Sequence, residues 1–528
     1  MHSRRRRWVR TAAAGVVTAL TVTACVIVRH QRVEVEALDP RGGPIIVQTP
    51  VKAHLRDGST VVYPQGVSLV GGALLPRVGT AKRYDVALRP VAADGPVPID
   101  SVVGMENYTT KTNHGTSIAL TTLSSTVATI GAIGLAVAIF GSCPTIYADS
   151  AGTPVLQAEV FANRISPLFE ARDIDRLSAT ANERGLLQLE VRNEALETHY
   201  INHLELLEIR HAVGEFVVPD ERGRALAVRS IAPVAAARDR AGRDLTRTLR
   251  AADGDVFVTD SVTLRRATAD DPRDYIDLAV ARPAGSDSVA VVLNLRNSLL
   301  NSVLLYDMML GAPGLRSLDW LAHDLTRIGP VLALGRWYNS RFGLRVLVRE
   351  QGGQYRQVAR HPTYGPVAWR EVASVVPVPR GVDSVRIRLS FIADEWRIDR
   401  ASIAPIVRRT EGRVIPAAEA TESEARPAPT VLAHLRRADD RYLQTSPGQR
   451  FWLRFDAGAP PARDSTRTFF IASQGYYTEW VRGSWIKGAT RPVPFAPTDS
   501  SLVETLRRWS AVKDSVDRHF YATRIPVR

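Results

Sequence analysis

The chain has 528 residues, a net charge of +14, 45% hydrophobic residues and two cysteines. Such a length supports three or four domains with substantial cores, and two cysteines do not make a disulfide framework. Residues 1–24 hold five arginines and no acid, which leaves +9 on the remainder; there the arginines are scattered among acids with no locatable basic patch, so a nucleic-acid partner is not expected.

In chain order, the first element is an export signal. "MHSRRRRWVR" is a basic leader, "TAAAGVVTAL" a short apolar stretch, and "VTAC" sets small residues before Cys25. This arrangement resembles the lipobox of bacterial lipoproteins, which implies cleavage after residue 24, lipidation of Cys25 and membrane lipid as a partner. The alternative is an uncleaved signal anchor, since Val26, Ile27 and Val28 prolong the apolar run. Arg6 and Arg7 before Trp8 also loosely resemble a twin-arginine signal. Both readings address the chain to the cell envelope.

A tether over 25–49 precedes brief β-branched runs over 50–106, punctuated by Asp57-Gly58, Gly71-Gly72 and Asp94-Gly95. "HLRDGSTVVY" and "VPIDSVVGME" look like the first and last strands of a small SH3-like or Sm-like barrel. Residues 116–140 form an apolar segment of borderline length for a membrane crossing. Arg164 is the first basic residue beyond Phe140, whereas Lys111 lies just upstream. That bias opposes a crossing toward the cytoplasm. The expectation is a hydrophobic helix at the membrane surface or packed with its neighbours, with residues 143–528 outside the cytoplasm; a full crossing is the alternative.

Residues 143–239 read as β-rich. A hairpin turns at Ser150, Ala151 and Gly152, and alternating runs cover 187–191 and 200–209. Residues 240–408 read as a jelly-roll-like sandwich with a helical insertion, "SLLNSVLLYDMMLG" and "SLDWLAHDLTRIG", the second capped by Ser317. Residues 416–430 have a linker composition. The last unit, 431–528, contains two strands and an amphipathic helix with Leu502, Leu506, Trp509, Val512, Val516 and Phe520 on one side and a Ser501/Glu504 capping box. The fold class is therefore mainly β with some helix: a small barrel, a hydrophobic helix, β-sandwich domains with a helical insertion, and a C-terminal helix.

"GSCPTIYADSAGTPVLQAEVF", "VRNEALETHYINHLELLEI" and "DDRYLQTSPGQRFWLRFDA" resemble blocks of an uncharacterised group of bacterial envelope proteins in which a Ser-Cys-Pro-x-Ile-Tyr hairpin follows a hydrophobic segment. The resemblance implies an envelope location and a shared architecture; it brings no activity, ligand or functional residue.

Candidate sites are sparse. His199 and His203, with Glu205 and Glu208, have a spacing that on a helix gathers imidazoles; on a strand, positions four apart share a face but lie about 13 Å from one another. Cys143 has no histidine near it in sequence, which favours a buried thiol or a second acylation site over a nucleophile. Asp439 and Asp440 suit a cap or turn better than an acid/base pair, because neighbours in extended chain diverge. Trp337, Tyr338, Tyr364, Trp369 and Trp396 form an aromatic set that either lines a sugar platform or fills a core. No catalytic residue, metal or cofactor is expected. The function expected is a non-catalytic, envelope-anchored interaction or scaffold protein with an envelope protein or glycan as partner; the alternative is a carbohydrate-binding or carbohydrate-processing protein using the sandwich.

Overall fold

The computed structural model describes residues 31–34, 45–47, 51–110, 144–305, 328–479 and 498–520, with short breaks at 56–58, 64, 85–89, 94, 196, 284–285, 379–381, 424–425, 440 and 446–447. Cys25, the 116–140 segment, Cys143 and Ser317 lie outside the described residues. None of the described helices is long and apolar enough to cross a membrane.

Residues 31–110 form two small sheets around one core. The strand Val102–Thr110 pairs with Gln31–Glu34 on one side and Val51–Leu55 on the other, so the beginning and end of this unit meet. Val51, Ala53 and Leu55 alternate inward and pack with Val61, Tyr63, Leu69 and Leu74.

The remaining strands build two β-sandwiches, one inserted in the other. In the outer sandwich, one sheet runs Thr153–Glu159, Thr145–Ser150, Leu186–Arg192, Arg450–Asp456 and Ala417–Ser423 in spatial order. The facing sheet runs Asp173–Arg176, Ser465–Glu479, Glu197–Ala212 and Arg413–Ile415, with Leu443–Thr445 also on Glu197–Ala212. The hairpin after Thr145–Ser150 turns through Ala151 and Gly152, both at positive φ (52° and 83°), a two-residue turn whose twist suits the strands. The inserted sandwich spans residues 232–404. Its sheets carry Trp396–Ala404, Ser288–Asn297 and Arg370–Pro377 on one side, and Arg273–Ala281, Ser384–Ile392, Leu344–Arg349 and Tyr355–His361 on the other. Ile276, Leu278, Val291, Leu293, Phe391 and Trp396 fill the space between. Its two ends leave side by side, because Ala225–Arg229 pairs with Ile406–Thr410 in the register Val228 to Ile406.

Buried charge fastens the two sandwiches. Arg370 of the insert reaches Asp173 at 2.8 Å and Asp175 at 2.7 Å on the outer sandwich and donates to the Glu159 carbonyl at 2.9 Å. Glu159 in return accepts from the Val367 and Ala368 amides. The C-terminal helix Asp499–Phe520 adds a second fastening. Leu502, Leu506, Trp509 and Val516 enter the outer core, and the Trp509 indole donates to the buried Asp394 of the insert at 2.6 Å.

Several expectations are corrected. Residues 416–430 are not a linker: they contain the strand Ala417–Ser423 and the helix Pro429–Leu435. Ala417, Ala420 and Ala428 are buried there despite the low overall hydrophobicity. Residues 431–528 are not a separate unit, since their strands supply the partners of Leu186–Arg192 and Glu197–Ala212. The C-terminal helix is capped by Thr498, whose hydroxyl accepts from the Ser501 amide, one turn before the expected cap; Glu504 instead pairs with Arg507 and Arg508. A helix at Ile328–Arg341 was hidden by Gly329, Pro330 and Gly335. Gly335 lets the helix approach Phe169, to which an added Cβ would come within 3.0 Å.

Candidate functional site

The expected aromatic platform does not assemble. Trp396 is wholly buried, and Tyr364 packs edge-on against it at 5.8 Å while its hydroxyl meets Nδ1 of buried His361. Trp369 is half-buried with the Arg296 guanidinium over its ring. Trp337 faces elsewhere, and its indole donates to Asp499 of the C-terminal helix. Tyr338 stacks on Phe342 at 4.6 Å. The five rings do not make one platform: Tyr364 and Trp396 pack on each other, and Trp337 and Tyr338 both lie against Phe342.

The two histidines part company for a backbone reason. The ladder between Glu197–Ala212 and Ser465–Glu479 shifts register between Ile201 and His203, which makes Asn202 a bulge. Ile201 faces the sandwich core before the bulge and Leu204 and Leu206 after it, so the alternation reverses there. His199 is consequently buried beside Glu197 at 3.2 Å, and burial pushes its imidazole down to about 3. His203 lies on the opposite face, 3.7 Å from Glu205. Glu208 is bound to arginines. Among the described residues no group of three or more His, Cys, Asp or Glu is placed to hold a metal.

On that outer face the bulge creates a different constellation. Asn202 donates to Glu170 Oε1 at 2.8 Å and accepts from the Asp439 amide at 2.9 Å. Tyr442 donates to Glu170 Oε2 at 2.6 Å. Glu170 is aimed by the 3₁₀ turn Pro167–Phe169, which is capped by Ser166 and followed directly by Glu170. Tyr442 precedes the short strand Leu443–Thr445 and sits edge-on to Tyr476 at 5.4 Å, while Tyr476 stacks on Tyr200 at 4.7 Å. Burial, with the Glu170 carboxylate, holds the Tyr442 phenol well above its ordinary range, so it stays a donor. Arg172 and Glu205 close one side at 2.8 Å, with His203 beyond. Asp439 does act as a turn residue, accepting from the Arg441 amide at 2.7 Å; Asp440 lies outside the described residues. Glu170, Asn202, Tyr442 and Tyr476 carried no sequence signal, because they come from separate segments and the bulge is not encoded by any local motif.

A second surface lies on the outer face of the insert. Arg388 is held between Tyr275 (3.7 Å) and Tyr355 (4.2 Å) and binds Asp277 through two nitrogens at 2.7 and 2.8 Å. All four side chains are partly exposed on three strands of one sheet, Arg273–Ala281, Ser384–Ile392 and Tyr355–His361.

No family model and no curated protein matches this sequence. Among solved structures, the chain is similar to a cycloalternan-forming enzyme from Listeria monocytogenes in complex with a pentasaccharide substrate, at 10% identity and TM-score 0.16, covering 71% of this chain and 30% of that one. It is also similar to a GH31 alpha-xylosidase from Xanthomonas citri, at 8% identity and TM-score 0.15, covering 85% of this chain and 38% of that one. The chain thus spans well under half the length of these enzymes.

Proposed function

We propose that this chain is a non-catalytic, lipid-anchored interaction module of a bacterial cell envelope. The observation that carries the reading is Glu170: both of its oxygens already accept, from Asn202 and Tyr442, so the carboxylate is committed to orienting its neighbours. Side chains held this way on a sheet form a preorganised polar surface for a partner. The residues bordering it, Arg172, Glu205, Tyr442 and Asp439, present both charge signs and a half-exposed ring. A photo-crosslinker at position 172, used in intact cells, tests this. A discrete crosslinked species that disappears in Tyr442→Ala supports the reading, and its absence, or persistence in that variant, refutes it.

The anchor rests on "VTAC". Cys25→Ser is expected to abolish acyl labelling; undiminished labelling refutes lipidation at Cys25. Residues 143–528 are placed outside the cytoplasm, so alkaline phosphatase fused after Arg528 is expected to be active, and activity of a cytoplasm-dependent reporter alone would reverse the orientation. Within this reading the N-terminal unit is an SH3-like or Sm-like barrel and the insert a jelly roll of the galactose-binding-like type.

The Tyr275–Arg388–Tyr355 surface favours carbohydrate as a second reading, since aromatic rings beside a fixed guanidinium and Asp277 suit a hydroxyl-rich ligand. On a glycan array, micromolar binding by the full chain that is lost in Tyr355→Ala supports it. Binding of no glycan removes it and leaves the first reading intact.

A further inference from the structure

The outer sandwich has a corner where the chain changes sheets in a single step. Arg413–Ile415 pairs with Leu206, Leu207 and Glu208 in one sheet, and after Pro416 the strand Ala417–Ser423 pairs with Arg450–Asp456 in the other. Proline offers no amide to either ladder, which suits the crossing point. The corner opens into a cleft of about 510 Å³ lined by Arg413, Ile415, Ala417, Arg436, Arg437 and Asp456. That volume is in the range of small-molecule sites. Buried Ile415 and Ala417 make its floor apolar.

Its charge is one-sided. Arg436 and Arg437 follow the helix Pro429–Leu435, are exposed, and have no hydrogen-bond or ion-pair partner among the described residues. Arg413 binds Glu208 at 2.6 Å and the Ala457 carbonyl at 3.0 Å, but Glu208 is shared with Arg210 at 3.3 Å and Arg467 at 3.5 Å, one carboxylate among three guanidiniums. Asp456 is the one acid in the lining, and its Oδ1 is occupied by the Gly458 amide. We propose that this cleft binds an oxyanion, a phosphate or carboxylate, with Arg436 and Arg437 gripping the charged group and the Ile415–Ala417 floor taking the uncharged body of the ligand. Guanidinium forks match planar and tetrahedral oxyanions through paired N–H donors, whereas an ammonium offers only a point charge. The cleft shares no lining residue with the Glu170 constellation, although Arg437 and Asp439 are two residues apart in the chain. Binding at the cleft is read by variants at 436, 437 and 418, none of which belongs to that constellation.

The test uses the full chain in a neutral detergent at low ionic strength, with calorimetric titration of inorganic phosphate, glucuronate, and dihexanoyl phosphatidylglycerol below its micellar concentration. Two variants accompany it: Arg436→Gln with Arg437→Gln, which removes charge, and Ala418→Trp, which fills the cleft at an exposed position and removes none. Saturable binding of phosphate or glucuronate, weakened about tenfold or more by both variants and by added salt, is the expected result. Binding of the phosphatidylglycerol alone with the same sensitivity assigns the oxyanion to a lipid headgroup. No saturable binding of any probe overturns the proposal. So does binding that the charge variant leaves unchanged, or that Ala418→Trp leaves unchanged while the charge variant weakens it, since the attraction would then be diffuse. Thermal melting confirms that both variants fold.

Discussion

Replacing Arg370 with methionine keeps much of the side-chain bulk and removes the charge that joins the two sandwiches. Arg370 is only 6% exposed, and it is the cation facing both Asp173 and Asp175 across the junction. The variant would leave buried Asp175, partly buried Asp173 and the Glu159 carbonyl without that donor, and breaking a buried pair in this way costs about 3–5 kcal/mol. A pH dependence follows from the same geometry. Burial would raise Asp173, but the charge and hydrogen bonds of Arg370, with Arg164, hold it below its ordinary value. Its stabilising contribution is thus present above the unfolded-state value and is lost as pH falls through the lower folded value. Asp175 already lies well above its ordinary value, through burial and the nearby charges of Asp173 and Glu159. With Arg370 gone burial meets much less opposition at both, the folded variant takes up protons, and its deficit shrinks as pH falls from neutral. Urea unfolding of the full chain, followed by tryptophan fluorescence at several pH values, reads the midpoint with the slope as a control. Adding Asp173→Asn and Asp175→Asn to the variant is expected to recover part of the loss. A deficit under about 1 kcal/mol at neutral pH, the scale of an exposed ion pair, would refute the reasoning, as would a deficit that does not change with pH.

Trp509→Phe keeps a ring in the core but withdraws the donor from buried Asp394, and a loss of about 1–3 kcal/mol in urea unfolding is expected; no change would mean that Arg397 and Lys513 suffice for Asp394. Burial pushes the His361 imidazole down to about 4, so its contribution is full above its unfolded-state value of 6.5 and is lost as pH falls toward 4; melting curves of His361→Gln are expected to be flatter across that window, and parallel curves would contradict this. A Cβ on Gly475 would come within 2.5 Å of the Tyr200 carbonyl, opposite the Asn202 bulge, so Gly475→Ala is expected to lower stability by about 1–3 kcal/mol, and an unchanged melting temperature would show that the strands tolerate the shift.

The elements that sequence reveals here are those with local causes. Period-two alternation marks strands such as Arg273–Ala281, where Asp274, Ile276, Leu278 and Val280 are buried in turn. Ala151-Gly152 marks its hairpin, and the leucines and Trp509 mark the C-terminal helix. What stays hidden has non-local causes. Nothing near Leu186–Arg192 states that its partner is Arg450–Asp456, and low hydrophobicity around Ala417 and Ala420 conceals a strand whose buried positions are only alanines. The candidate surface was half visible: His203, Glu205 and Asp439 stood out by type. Glu170 and Tyr442 acquire meaning only through the extra residue at Asn202, a register choice made across strands.

The nesting of one sandwich within the other also sets an order of assembly. As the chain emerges from its N-terminus, Leu186–Arg192 and the long strand Glu197–Ala212 appear early, yet their neighbours Arg450–Asp456 and Ser465–Glu479 are made only after the whole insert. The insert can close first, because its sheets pair within residues 232–404 and its ends meet at Val228 and Ile406. Until then the early strands carry open edges, including the alternating stretch from Tyr200 to Ile209, and such edges invite pairing with other chains. The molecule therefore has a vulnerable interval between synthesis of its first half and arrival of its last strands.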